Sequence, residues 1–178
     1  MPHPDDPTTT VDPSRPPLPA DLDQGAAAVL DAMGTARAVR RFRPDPIPRE
    51  HLELLVWATT RAASANNSQP WHVVVLTEPA SKQRLADSLA GFARWIDALG
   101  PPKDHREGVT RRGARRLLQE ISLVPAIVVI CAENSFPADA PRTSYLWSAV
   151  GGATQNLLVA ARALGLGAVP TMFHVLDE

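Results

Sequence analysis

The amino-acid sequence predicts an α+β domain, and three observations carry that expectation. Two short runs, Trp71–Leu76 and Pro125–Ala132, are almost continuously apolar and rich in valine or isoleucine, the signature of buried strands. Longer segments around them repeat apolar residues at helical spacing. The chain has 178 residues, 44% hydrophobic and 21% charged, which is the size and balance of one globular domain with its own core.

The elements follow in order. Residues 1–21, rich in Pro, Thr and Asp, cannot bury enough apolar surface to offset ordering entropy and are expected to be a disordered tail; the domain is expected over 22–178. Asp23 is placed to cap a first helix carrying Ala27, Val29, Leu30 and Met33, which Gly34 closes. Pro48 can open a second helix through about Ala62, with Leu52, Leu55, Val56 and Thr59 on one face. After the Trp71–Leu76 strand a helix is expected from about Pro79 to Ala90, then a polar, turn-rich stretch from Gly100 to Gly108 and a basic helix from about Thr110 to Gln119. The second strand leads to a long helix, about Thr143–Leu164, with Leu146, Val150, Ala153, Leu157, Ala161 and Leu164 on a broad apolar face. Gly165 and Gly167 end it, and Ala168–Thr171 reads as a third strand.

Composition narrows the function classes. A formal net charge of −1 gives no bulk attraction to nucleic acid or to an anionic membrane. The most apolar long stretch, Tyr145–Leu166, is interrupted by Ser148, Thr154, Gln155, Asn156 and Arg162, so no membrane span is expected. No secretory signal opens the chain, and a cytoplasmic protein is expected. A single cysteine, Cys131, excludes an intrachain disulfide and a multi-cysteine metal site; it reads as a buried core thiol, and no metal is expected.

Three motifs carry chemistry. Arg37-Ala38-Val39-Arg40-Arg41-Phe42-Arg43 gathers four guanidinium groups in seven residues. Arginine offers planar paired donors that suit phosphate oxygens, although a solvated basic loop has the same composition. Ala63-Ser64-Ala65-Asn66-Asn67-Ser68-Gln69-Pro70-Trp71-His72 is a turn of small and amide side chains running into a strand. Its small residues let backbone approach a flat ring, while Asn67 and Gln69 either bond a ligand or hold the turn. Trp71 reads as core and His72 as a satisfied strand histidine. Gly165-Leu166-Gly167 is no dinucleotide loop, because a helix precedes it and Pro170 follows. Arg111, Arg112, Arg115 and Arg116 share one side of a helix and read as a solvated face, with contact to a ligand phosphate as the functional alternative.

Taken together, the Arg-x-x-Arg-x-Phe loop, the Ser64–Trp71 turn and the segment Gln155–Gly167 resemble the nitroreductase family of flavoproteins across most of residues 30–174. The resemblance implies a three-layer sandwich, a small mixed β-sheet flanked by helices. It implies FMN at the interface of a homodimer, NAD(P)H as electron donor, and a nitroaromatic, quinone or similar small molecule as acceptor. On this likeness Arg37, Ala38, Val39 and Arg40 hold the cofactor. Ala63, Ser64, Ala65, Asn67 and Gln69 cover it from the partner subunit, and Pro170, Thr171 and Met172 run past its ring, where a backbone N–H donates near N5. The flavin carries the chemistry, so no catalytic side chain is assigned. The chain departs from the family at Ala36, Ala38 and Ala63, where arginine, serine and proline are common, and family members continue beyond the Pro170 region. A member that no longer binds flavin and serves as a binding or structural protein, or one with another reaction such as dehalogenation, is the alternative expectation.

Overall fold

Asp23 caps the first helix: its carboxylate accepts from the backbone N–H of Gly25 at 2.7 Å and of Ala26 at 3.2 Å, satisfying donors that a first turn cannot pair internally. The computed structural model describes residues 16, 19, 21–137, 139–140 and 142–173, so the expected N-terminal tail lies almost wholly outside them. Among the described residues the elements run α1 (Gln24–Thr35), α2 (Arg49–Thr59), β1 (Trp71–Leu76), α3 (Pro79–Ser88), α4 (Ala90–Ala98), α5 (His105–Glu120), β2 (Ile127–Ala132) and α6 (Thr143–Ala163). The two strands form an antiparallel pair, and the fold is of the α+β class.

Two compact units make up the chain, each assembled from separate segments. Of the described residues, one unit holds those up to Val39, those within Pro48–Val73 and those within Ile130–Val169; the other holds Arg40–Ile47, Val74–Val129 and Pro170–Phe173.

In the first unit α1 and α2 pack along α6. Alanines at the contact let backbones come close: Ala149, Ala153 and Ala161 are at most 2% exposed. Trp71 closes over Ala149 and Ala153, with Ala62 and Ile130 at its edge. Several polar groups that this packing removes from water are paired, while the buried Nδ1 of His51 on α2 has no partner among the described residues. Thr59 is fully buried and its hydroxyl donates to the Leu55 carbonyl at 2.7 Å. The Asn156 amide donates to the Ala58 carbonyl at 3.2 Å, and Arg162 Nε to the Thr35 hydroxyl at 2.8 Å, tying α6 to both neighbours. Gly165 ends α6 at φ 73°, and Leu166 N–H turns back to the Ala161 carbonyl at 2.8 Å, a left-handed cap that glycine adopts without steric cost.

In the second unit α3, α4 and α5 enclose Leu89, Ile96, Leu118 and Ile121. Phe92 sits between Trp95 and Phe173, with ring centroids 5.1 and 4.9 Å away. Lys82 is buried, and its ammonium donates to the Val124 carbonyl at 2.7 Å. Asp104 caps α5 by accepting from Glu107 N–H at 2.7 Å, while the Glu107 carboxylate accepts from Lys103 N–H at 2.6 Å and from the Arg111 guanidinium.

Several expectations change. The helix expected over Pro79–Ala90 is α3, which ends at Ser88, and a further helix that was not expected, α4, follows it from Ala90. α5 begins at His105, five residues ahead of the expected start, because Asp104 and Glu107 supply a cap that a search for apolar periodicity passes over. Ala168 makes one parallel bridge to Ala38 rather than belonging to a strand. β1 is covered on one side only: Trp71 is buried, whereas His72 and Val74 are exposed. Pro70 and Glu133 face each other through a 3.0 Å backbone bond, which sets His72 opposite Cys131 two residues further on. Cys131 is therefore not the expected core thiol but an exposed residue on the same side as His72. The apolar stripe of α6 is largely occupied by α1, α2 and Trp71, and what α6 presents outward includes Tyr145, Trp147, Ser148, Gly151 and Gln155.

The Lys103 backbone N–H, and after it the Arg111 guanidinium, hold the Glu107 carboxyl below the ordinary glutamate range. A carboxylate stabilised by folding contributes above its unfolded pKa of about 4.3 and loses that contribution as pH falls through the lower, folded value. A carbon-detected NMR titration should find Glu107 protonating at lower pH than a solvated glutamate, with Arg111→Ala moving it back up. An unshifted Glu107 in the unaltered protein would contradict the capping arrangement.

Candidate functional site

The arginine loop lies directly after α1. Val39 N–H donates to the Ala168 carbonyl at 3.1 Å, and Ala38 bridges Ala168, so the loop runs parallel to the segment that follows α6. Gly167 makes this approach possible. A Cβ there would stand 2.9 Å from one Val39 methyl and 3.0 Å from the other, closer than carbon atoms pack.

The four guanidinium groups are not equivalent. Arg37 is exposed and turns back on α1, donating to the carbonyls of Gly34 at 3.0 Å and Ala36 at 2.8 Å. Arg43 pairs with Asp45 at 2.7 Å in the open, and Arg41 is exposed. Arg40 is half-buried, and among the described residues its guanidinium has no hydrogen-bond or ion-pair partner. The resemblance selects Arg37 and Arg40 from the four; of these two, Arg37 is engaged by α1 and Arg40 is not engaged among the described residues.

In the small-residue turn, a single 3₁₀ turn over Ala65–Asn67, backbone φ is positive at Asn66 (54°), Asn67 (53°) and Gln69 (44°). Left-handed conformations cost L-residues roughly 1–2 kcal/mol each, less for asparagine, so the shape must be held by its bonds. Ser64 is the pivot: its carbonyl accepts from Asn67 N–H at 3.1 Å and its hydroxyl from Gln69 N–H at 3.0 Å. Gln69 Nε2 donates to Asn67 Oδ1 at 3.3 Å. Of the two roles open to Asn67 and Gln69, the structure supports holding the turn. Ala63 is exposed and Ala65 half-buried, which leaves the turn's outer surface free of bulky groups. Trp71, 7% exposed, belongs to the core as expected, whereas His72 is exposed, with Nε2 3.8 Å from Glu133 Oε1.

A shallow surface hollow, open to solvent, adjoins this turn. Ala65, Ser68 and Pro70 form one wall, and the stacked rings of Phe136 and Tyr145, with centroids 5.4 Å apart, form part of the other. In the second unit, Pro170, Thr171 and Met172 are exposed and belong to no helix or strand. The basic face of α5 is largely neutralised: Arg111 pairs with Glu107, Arg115 with Asp97 at 3.1 Å and Arg116 with Glu120 at 3.1 Å. That favours the solvated face over a phosphate site. Among the described residues no cluster of metal-ligating side chains occurs, and no helix is long and apolar enough to cross a membrane.

Comparison with known proteins follows the same lines. The model of the nitroreductase family matches residues 34–174. A curated protein named NADH dehydrogenase from Thermus thermophilus is 32% identical over 159 residues, covering 81% of this chain and 74% of that protein. The fold is similar to that of the FMN-dependent nitroreductase NfnB from Mycobacterium smegmatis, solved with NADPH, at a TM-score of 0.56 and 22% identity over 79% of this chain and 72% of that one. It is similar also to oxidized iodotyrosine deiodinase bound to FMN and 3-iodo-L-tyrosine, at a TM-score of 0.63 and 20% identity over 84% and 80%. The chain spans 62–64% of the length of three further curated relatives.

The sequence marks Gly167, with Gly165, as the end of the long helix, whereas its contact with Val39 depends on a partner distant in sequence. Gly167→Ala is expected to cost about 1–3 kcal/mol through overpacking. Val39→Ala in the same chain should recover most of that loss in thermal or denaturant melts. Equal costs with and without Val39 would place the strain elsewhere.

Proposed function

The chain belongs to the nitroreductase family, and on that premise we propose that it is an FMN-dependent oxidoreductase that takes electrons from NAD(P)H and reduces small organic acceptors such as nitroaromatics and quinones. The observation that carries this reading is Arg40. A half-buried guanidinium with no acceptor among the described residues is incomplete, and a phosphate of about −2 charge is the anion that planar paired donors match best. When bound, FMN supplies the electron-pair transfer, while the protein binds it and sets its electronics.

The chain's own groups then have separate tasks. Arg40 anchors the phosphate. Val39, seated on Gly167, fixes the loop that carries Ala38 and Arg40. Ala63, Ser64 and Ala65 leave room for a flat ring, and the Ser64, Asn67 and Gln69 bonds keep the turn in one shape before any ligand arrives. Thr171 and Met172, which follow Pro170 outside any helix or strand, offer backbone N–H donors to a ring edge. Arg37 acts indirectly, by completing the end of α1.

A second copy of the chain completes the site in this reading. Val29, Leu30 and Met33 on α1, Leu54 and Trp57 on α2, and Trp147 on α6 are all exposed within the first unit. So much outward apolar surface is suited to burial against a partner.

The test is titration of the purified protein with FMN, followed through flavin fluorescence and visible absorbance, then oxidation of NADH and NADPH with a panel of nitroaromatics and quinones. Saturable FMN uptake and acceptor-dependent turnover are expected; no uptake at all would leave the chain a member without flavin. Arg40→Ala should weaken FMN binding by about tenfold or more, the effect of one lost charge-assisted hydrogen bond. Arg37→Ala should chiefly lower the melting temperature. In light scattering the protein should have the mass of two chains, and Trp57→Glu should shift it toward one; a monomeric unaltered protein would remove the shared-site arrangement.

A further inference from the structure

Gly113 lies midway along α5, flanked by Arg111, Arg112, Arg115 and Arg116. Glycine in a helix interior is about 1 kcal/mol less favourable than alanine, so its presence there asks for a steric reason. A Cβ built on Gly113 would stand 2.9 Å from Cδ of Arg40 and 3.8 Å from its Nε. The first distance is well inside the roughly 3.5–4.0 Å at which carbon atoms pack. Cδ belongs to the aliphatic stem, so it cannot be displaced without swinging the guanidinium beyond it.

We infer that Gly113 is a positioning residue for Arg40: the missing side chain forms a notch in α5 that receives the arginine stem and aims its guanidinium. The contact lies wholly within the second unit. Carboxylates on and against the same helix are already engaged, Glu107 by Arg111, Asp97 by Arg115 and Glu120 by Arg116. The seated arginine therefore keeps its charge for an anion from outside the chain. Gly108, the other glycine of α5, shows the contrast. There a Cβ would meet the flexible end of Arg112 at 3.3 Å and Pro102 at 3.5 Å, neighbours that yield with little displacement.

This inference rests on the proposal that Arg40 anchors the FMN phosphate, and the experiment separates the two. Gly113→Ala, Gly113→Ser, Arg40→Ala and the double variant Arg40→Ala/Gly113→Ala are compared for melting temperature and for binding of FMN and of riboflavin, which lacks the phosphate. Gly113→Ala should keep or raise the melting temperature, because alanine is the better helix former. It should nevertheless weaken FMN binding by about three- to tenfold, part of the loss caused by Arg40→Ala. Riboflavin binding should not change, and Gly113→Ala should add nothing once Arg40 is alanine. Gly113→Ser should act in the same direction as Gly113→Ala. Undiminished FMN affinity in Gly113→Ala, an equal loss for riboflavin, or full additivity with Arg40→Ala would each overturn the positioning role while leaving the anchor in place. Undiminished FMN affinity in Arg40→Ala would instead remove the anchor, and the positioning role with it.

Discussion

Close approach made possible by missing side chains is the constraint on which the rest of this structure depends. α1, α2 and Trp71 reach α6 because Ala149, Ala153 and Ala161 stand at the contacts, each almost wholly shielded from water. The arginine loop lies beside the segment after α6 because Gly167 has no Cβ for Val39 to meet. Arg40 lies along α5 because Gly113 has none either. Dense interiors tolerate neither added nor missing volume, since lost contacts and forced rotamers both cost stability. Small residues are therefore as specific a part of this fold as its tryptophans.

Once the backbones are that close, polar groups must be satisfied locally, and that requirement distributes the charges. Arg162 reaches the Thr35 hydroxyl and Arg37 reaches the carbonyls of Gly34 and Ala36, so two guanidinium groups complete the C-terminal end of one helix. On α5, i,i+4 pairs and Asp97 take up most of the arginine charge. Surface pairs of this kind contribute little to stability, but they settle which cations remain for other duties. Arg40 remains.

Much of the scaffold was legible in the sequence, because its signals are local. Asp23 announces α1, the valines after Trp71 announce β1, and the apolar spacing from Leu146 to Leu164 announces α6, each with boundaries close to those observed. What was not legible depended on partners distant in sequence. Trp71–Leu76 reads as doubly buried, yet whether His72 and Val74 are covered is decided by what packs on that side, which no property of the run itself reveals. Cys131 follows the same rule, being apolar in its neighbourhood and exposed in its place. At the site, the loop and the turn stand out by composition, but composition cannot rank one arginine above its neighbours. It takes the pairing of Arg37 and the Gly113 notch beneath Arg40 to do so.

The turn shows why a site of this kind is built before its ligand is bound. Three left-handed residues within four positions, none of them glycine, store unfavourable backbone energy that local bonding must offset. Ser64 supplies two acceptors, and the Asn67–Gln69 side-chain bond joins the strained positions to each other. Pro70 and Trp71, both buried, then fix the exit of the turn into β1. Because strain and restraint act within a handful of residues, the outer surface of Ala63–Ala65 stays in one geometry whether or not a ring lies against it. A ligand then meets a surface already shaped, and little of its binding energy is needed for ordering the chain. The asparagines belong here because their short side chains tolerate the left-handed region while still bonding the backbone nearby. In this turn the amides shape the backbone, and in the proposed reading the small residues beside them are where a ring would lie.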